Sequence, residues 1–108
     1  SKMDGRINST EGLGYAYTRF RALAIEPGVW FETSIGNLGV INAELVDAPD
    51  VRDVKSVTRL TFLHHMDQIL VTDGSSKALK LIEVQPSGKP KMLAMDWWRG
   101  LREVPEIV

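Results

Sequence analysis

The chain has 108 residues, 44% of them apolar, a formal net charge of −1 and no cysteine. That length supports one small domain with a single core, and the missing cysteines exclude a disulfide framework, a thiolate nucleophile and any cysteine-ligated zinc site. Neither a signal-peptide core near the N-terminus nor an apolar run of the roughly 18 residues needed to span a membrane is present, so the expectation is a soluble, cytoplasmic protein.

Ser1 to Thr10 is polar and aperiodic, as in a linker or an expression remnant, which leaves residues 11–108 as the domain. Leu13, Ala16, Tyr17, Phe20, Leu23 and Ala24 then recur at the spacing of one helical face. Ser9 or Thr10 is placed to cap that helix, Arg19 and Arg21 fall on its polar side, and Pro27-Gly28 ends it. Beyond this point the period becomes extended. Strands are predicted over Val29–Thr33, Leu38–Val46, Val54–His64, Ile69–Thr72 and Ala78–Val84. Gly36-Asn37 is the first expected turn, and Ile41, Ala43 and Leu45 are expected to share a face of the second strand. The acidic stretch Asp47–Asp53 has the composition of an exposed loop, and Asp73-Gly74-Ser75-Ser76 that of a hairpin turn.

In the last predicted strand, Leu79 and Leu81 form one alternating set and Ala78, Ile82 and Val84 the other. Both sets are apolar, so the strand is expected to be covered on both faces. Ser87-Gly88-Lys89-Pro90-Lys91 follows as a turn and Met92–Leu101 as a short aromatic helix stopping near Gly100. The expected fold is mainly β with flanking helices. It is a small OB-like Greek-key barrel of about five strands, preceded by one helix and closed by a short C-terminal helix.

Charge is unevenly spread. Between residues 77 and 102 stand Lys77, Lys80, Lys89, Lys91, Arg99 and Arg102 against only Glu83 and Asp96, a local balance of +4, whereas residues 1 to 76 carry 7 basic and 10 acidic groups. Such a cluster serves either as a solvated face or as a phosphate-binding surface.

Catalytic patterns are not found. His64 and His65 are adjacent on a predicted strand and therefore point to opposite faces, a poor arrangement for chelating one metal ion. No G-x-S-x-G element occurs, the carboxylates at 47, 50 and 53 fall in a solvated loop, and Gly36-Asn37-Leu38-Gly39 lacks the spacing of a phosphate loop. The segment is therefore expected to be non-catalytic, with no metal and no cofactor of its own.

The order Leu81-Ile82-Glu83-Val84-Gln85-Pro86-Ser87-Gly88-Lys89-Pro90-Lys91-Met92, followed by a helix ending Trp97-Trp98-Arg99-Gly100, resembles the end of the C-terminal domain of methionyl-tRNA formyltransferases. Asp4-Gly5-Arg6-Ile7, Arg19-Phe20-Arg21-Ala22-Leu23 and Pro27-Gly28-Val29-Trp30-Phe31 resemble the front of the same domain. Together the likeness spans residues 4 to 102. Two departures stand out: the family's Lys-Lys-Pro-Met is Lys89-Pro90-Lys91-Met92 here, and Leu93 occupies the place of a capping serine.

The resemblance implies a division of labour. An N-terminal domain carries the catalysis, transferring a formyl group from 10-formyltetrahydrofolate to initiator Met-tRNA in translation initiation. The C-terminal OB-like barrel contacts and orients the tRNA weakly and electrostatically, as a monomer, with that catalytic domain as its partner and no membrane involved. On this reading Lys77, Lys80, Lys89, Lys91, Arg99 and Arg102 supply tRNA contacts, with Arg19 and Arg21 as contributors. Trp97 and Trp98 either stack on bases or pack between helix and barrel. Two alternatives are the tail domain of a sugar-nucleotide formyltransferase and a free-standing OB-type interaction module.

Overall fold

The structure, a computed structural model, describes residues 6–7, 17, 29–49 and 59–108. In chain order the elements are β1 (Arg6–Ile7), β2 (Val29–Thr33), β3 (Gly36–Asp47), β4 (Thr61–His65), β5 (Gln68–Thr72), β6 (Lys77–Pro86), β7 (Met92–Leu93) and the helix α1 (Ala94–Arg99). The strands form one sheet in the order β1-β2-β3-β6-β5-β4, with β7 pairing β6 off this path. Only β1 and β2 run parallel; every other pair is antiparallel. Strands β4, β5 and β6 make a meander, and β3 lies beside β6, the Greek-key order. The sheet curls into a half-barrel, so the expected mainly-β, barrel-like class holds.

Strand β6 is the spine of this sheet. One edge pairs with β3 from Lys77 to Pro86; the other pairs with β5 over Ala78–Leu81 and then with β7 over Glu83 and Val84. Ala78 and Leu79 are both fully buried, so the strand is covered on both faces there, as the apolar residues on both of its alternating sets predict.

The inward face changes parity midway along the β3–β6 ladder. Leu38, Val40 and Val84 point into the core at one end, Ala43, Leu79 and Leu81 at the other. The switch falls where the ladder is irregular, between Val40 and Ala43, where Ile41 and Ile82 have no partner in the register. Because both strands slip together, the pairing resumes unchanged beyond the bend while every side chain has swapped faces. The expected face of Ile41, Ala43 and Leu45 is therefore broken: Ala43 is buried, Ile41 is half-buried and Leu45 is 36% exposed. Val84 joins Leu79 and Leu81 rather than Ala78 and Ile82.

Turn chemistry fixes the hairpins. The first reverses at Ser34-Ile35, not at Gly36-Asn37; Ile35 N–H donates to Thr33 Oγ1 at 3.2 Å, and Asn37 already pairs with Glu32. Gly36 begins β3 at φ 115°, a conformation that favours glycine. The β4–β5 hairpin reverses on Met66 and Asp67, both left-handed at φ 50° and 60°, as a two-residue type I′ turn requires. Between β5 and β6, Gly74 takes φ 85° within the expected turn, and Ser75 N–H donates to Asp73 Oδ1 at 3.0 Å. The predicted third strand is described only as Thr61–His65, and residues 50–58 lie outside the described residues. The same is true of the predicted first helix except for Tyr17, which is helical and packs half-buried against the core.

Residue order alone gives the last six residues no element, yet they close the fold. Thr33 and Ile107 form an antiparallel bridge, flanked by Ser34 N–H to the Glu106 carbonyl at 2.9 Å and Val108 N–H to the Glu32 carbonyl at 2.8 Å. From the other end of the sheet, Arg59 Nη2 donates to the Ile107 carbonyl at 3.0 Å. Ile107 itself is 1% exposed and belongs to the core. Truncating it leaves a cavity beneath two strand edges, so Ile107→Ala is expected to lower stability by about 2–5 kcal/mol in denaturant unfolding, whereas Val108→Ala, on a half-exposed neighbour, changes it by less than about 0.5 kcal/mol.

Candidate nucleic-acid interface

The predicted basic residues fall into two electrostatically different groups. Lys77 and Lys80 lie on the first half of β6, directly across the ladder from Asp47 and Glu44. Lys77 Nζ donates to Asp47 Oδ1 at 2.6 Å, and Lys80 Nζ stands 3.8 Å from Glu44 Oε1. These cross-strand pairs are solvent-exposed and add little stability, but they cancel the charge that the sequence counted as positive. The ammonium of Lys77, by its hydrogen bond and then by its charge, holds the Asp47 carboxyl below the usual carboxylate range.

Lys89 stands in the turn at the opposite end of the same strand, and Lys91 just before β7, which folds back along it. Their turn is tightly built: Lys89 N–H donates to the Pro86 carbonyl at 3.1 Å, Gln85 Nε2 to the Lys89 carbonyl at 3.1 Å, and Ser87 N–H to the Asn37 carbonyl at 3.0 Å. Gly88 takes φ 77°, and a Cβ at this position would meet nothing within 4 Å, so the backbone angle alone calls for glycine there. Both lysines are exposed, and among the described residues neither has an ion-pair partner.

Helix α1 carries Arg99. It is shorter than the Met92–Leu101 helix expected, because Met92 and Leu93 pair with β6 before the helix begins. Leu93 at the N-cap makes no side-chain capping bond, in keeping with the missing serine at that position. Trp97 anchors the helix at 7% exposure, its ring 5.3 Å from Phe62 in a T-shaped contact, and Phe62 lies 6.0 Å from Phe31. At the C-terminal end, Gly100 N–H and Leu101 N–H donate to the carbonyls of Trp97 and Trp98. Arg99 Nη1 is 3.6 Å from Asp96 Oδ1, an exposed i,i+3 pair that only partly offsets its charge. Arg102, just past the helix, is exposed and has no ion-pair partner among the described residues.

Two clefts flank this end of α1, with Leu101 in the wall of both. One, of about 230 Å³, opens between the β2–β3 turn, the 86–89 turn and the helix, and is lined by Ile35, Asn37, Lys89, Asp96 and Trp97 among others. The second, about 180 Å³, is lined by Trp98, Leu101, Arg102, Glu103 and Val104. The arrangement thus gathers Lys89, Lys91, Arg99 and Arg102 around α1 and sets Lys77 and Lys80 apart. Arg19 and Arg21 lie outside the described residues. The two tryptophans divide: Trp97 is core, Trp98 half-buried at the rim. No sequence signal marked His64 as the neighbour of Trp98, yet their rings lie 6.0 Å apart.

These features define a small mainly-β, barrel-like module in which the cations unpaired among the described residues group around α1. The family follows from the sequence: residues 1–102 match the family model described as formyl transferase, C-terminal domain, and the chain belongs to that family. Among similar curated proteins, the methionyl-tRNA formyltransferase of Leifsonia xyli subsp. xyli is 35% identical over 97 residues, covering 90% of this chain and 30% of the relative. The methionyl-tRNA formyltransferase of Renibacterium salmoninarum is 32% identical over 105 residues, covering 97% of this chain and 32% of the relative. The chain thus spans about a third of the length of the curated relatives it matches. Among the described residues, no helix is long and apolar enough to cross a membrane.

The Lys77–Asp47 pair yields a directional expectation. Because the folded-state pKa of Asp47 is depressed, the pair contributes above the ordinary carboxylate pKa and is lost as pH falls through the lowered value. Carboxyl NMR titration should place Asp47 below an ordinary aspartate, and Lys77→Met should return it to normal; an unmoved titration in the variant would show the pair to be absent in solution.

Proposed function

We propose that this chain is the tRNA-contacting portion of a methionyl-tRNA formyltransferase. In this reading it holds the body of an initiator Met-tRNA by its phosphates while a catalytic domain in the remainder of such a protein transfers the formyl group from 10-formyltetrahydrofolate. Family membership and the names of its relatives support the parent activity. The observation that carries the contact role is the separation of cations: Lys89, Lys91 and Arg102 have no ion-pair partners among the described residues and group around α1, while Lys77 and Lys80 are matched to carboxylates.

The physical reason is counterion release. A cation already paired in the free protein must give up its carboxylate to meet a phosphate, whereas an unpaired one exchanges only water and loosely held ions. Lysine and arginine contacts to phosphate fix position without reading sequence, which suits a domain whose task is orientation. The contact set is therefore Lys89, Lys91 and Arg102 with Arg99 as a partial contributor, and Lys77 and Lys80 are peripheral.

Binding of a tRNA transcript measured across a salt series tests this directly. Wild-type affinity should fall steeply with salt, and Lys89→Glu with Lys91→Glu should weaken binding and flatten the slope of log K against log salt by about one for each phosphate no longer neutralised. Lys77→Glu should have the smaller effect. Salt-indifferent binding, or equal weakening at Lys77 and Lys89, would overturn the assignment.

A further inference from the structure

We infer that Trp98, His64 and Arg102 form a subsite for one unpaired nucleotide of the bound RNA, with the base against the Trp98 indole and its phosphate on the Arg102 guanidinium. This deepens the tRNA-contact reading above and rests on it. The aromatic row that plugs the sheet runs from Phe31 through Phe62 to Trp97, with ring contacts of 6.0 Å and 5.3 Å. Trp98 is the next ring outward. It meets Trp97 at 6.0 Å and Phe62 at 6.5 Å, both edge-on, and remains half-buried where Trp97 is almost wholly enclosed. Its other ring neighbour is the exposed imidazole of His64, 6.0 Å away and tilted by 46°.

The chemistry of this rim suits a nucleotide. Unstacked bases are taken up on tryptophan and histidine rings, and a neighbouring guanidinium supplies both phosphate pairing and stacking. Arg102 shares the roughly 180 Å³ cleft with Trp98 and has no ion-pair partner among the described residues. Glu103, the acid of that cleft, is exposed. Leu101 lines both this cleft and the groove that holds Lys89, so a strand crossing the end of α1 meets a cation in each. A paired duplex cannot offer a base face there, which makes the subsite selective for single-stranded segments.

The test compares three probes on the 108-residue chain: a single-stranded RNA oligonucleotide, an abasic backbone of equal length and a tRNA transcript. Trp98→Leu should weaken the oligonucleotide about tenfold or more, the effect expected for removing one base stack. It should leave the salt slope and the abasic probe unchanged, with Trp98→Phe recovering most of the affinity. Arg102→Ala should reduce the salt slope by about one on every probe. If Trp98→Leu fails to fold, His64→Ala carries the same comparison, expected to weaken the oligonucleotide and not the abasic backbone. Oligonucleotide affinity unchanged at Trp98, or equal weakening of the abasic probe, overturns the subsite; if Lys89→Glu still weakens tRNA in that case, the phosphate-contact reading stands. Salt-indifferent binding of all three probes overturns both.

Discussion

The backbone hydrogen bonds from the tail to β2, together with the Arg59 bond to the Ile107 carbonyl, join the two ends of a sheet that its own ladders leave open. Among the described residues, no ladder runs from β4 back to β1 or β2. An open, curled sheet of this size exposes unpaired edges and the mouth of its core. Ile107 fills that mouth while its own backbone satisfies the edge of β2. The closing segment lies beyond residue 102, where the match to the family model ends, although one of the most deeply buried side chains comes from it.

Closure has consequences for the surface. With the tail in place, the chain leaving α1 is tethered at both ends, at Trp97 in the core and at Ile107 on β2. Residues 98–106 bridge these two anchors, and Arg102 lines one cleft with Trp98. On the other side of the helix, the pairing of β7 with β6 and the 86–89 turn fix the backbone from which Lys89 and Lys91 project. Two independent backbone constraints therefore set the positions of the cations on either side of α1.

Much of this was legible from residue order, and the exceptions have identifiable physical causes. The strands at Val29–Thr33 and around Ala78–Val84 followed from β-branched and aromatic runs with turn residues at their ends, and Trp97 was expected among the candidates for core packing. The bend between Val40 and Ala43 was hidden because the irregularity is shared by two strands remote in sequence and shows only in their pairing. Residue order also could not show that Lys77 and Lys80 face carboxylates, since their partners lie some 30 residues earlier and meet them only through the β3–β6 register. Counting charge along the chain merged matched and unmatched cations into one cluster. The tail gives no signal because Val104-Pro105-Glu106-Ile107-Val108 is too short for a periodic pattern and forms only one bridge.

Lysine footprinting with and without saturating tRNA tests the central claim most directly, since it reads each ammonium in one experiment on the unaltered chain. The account predicts that Lys89 and Lys91 lose reactivity towards an amine-modifying reagent when tRNA is bound while Lys77 and Lys80 keep theirs. Protection of Lys77 and Lys80 with Lys89 and Lys91 unchanged would contradict it.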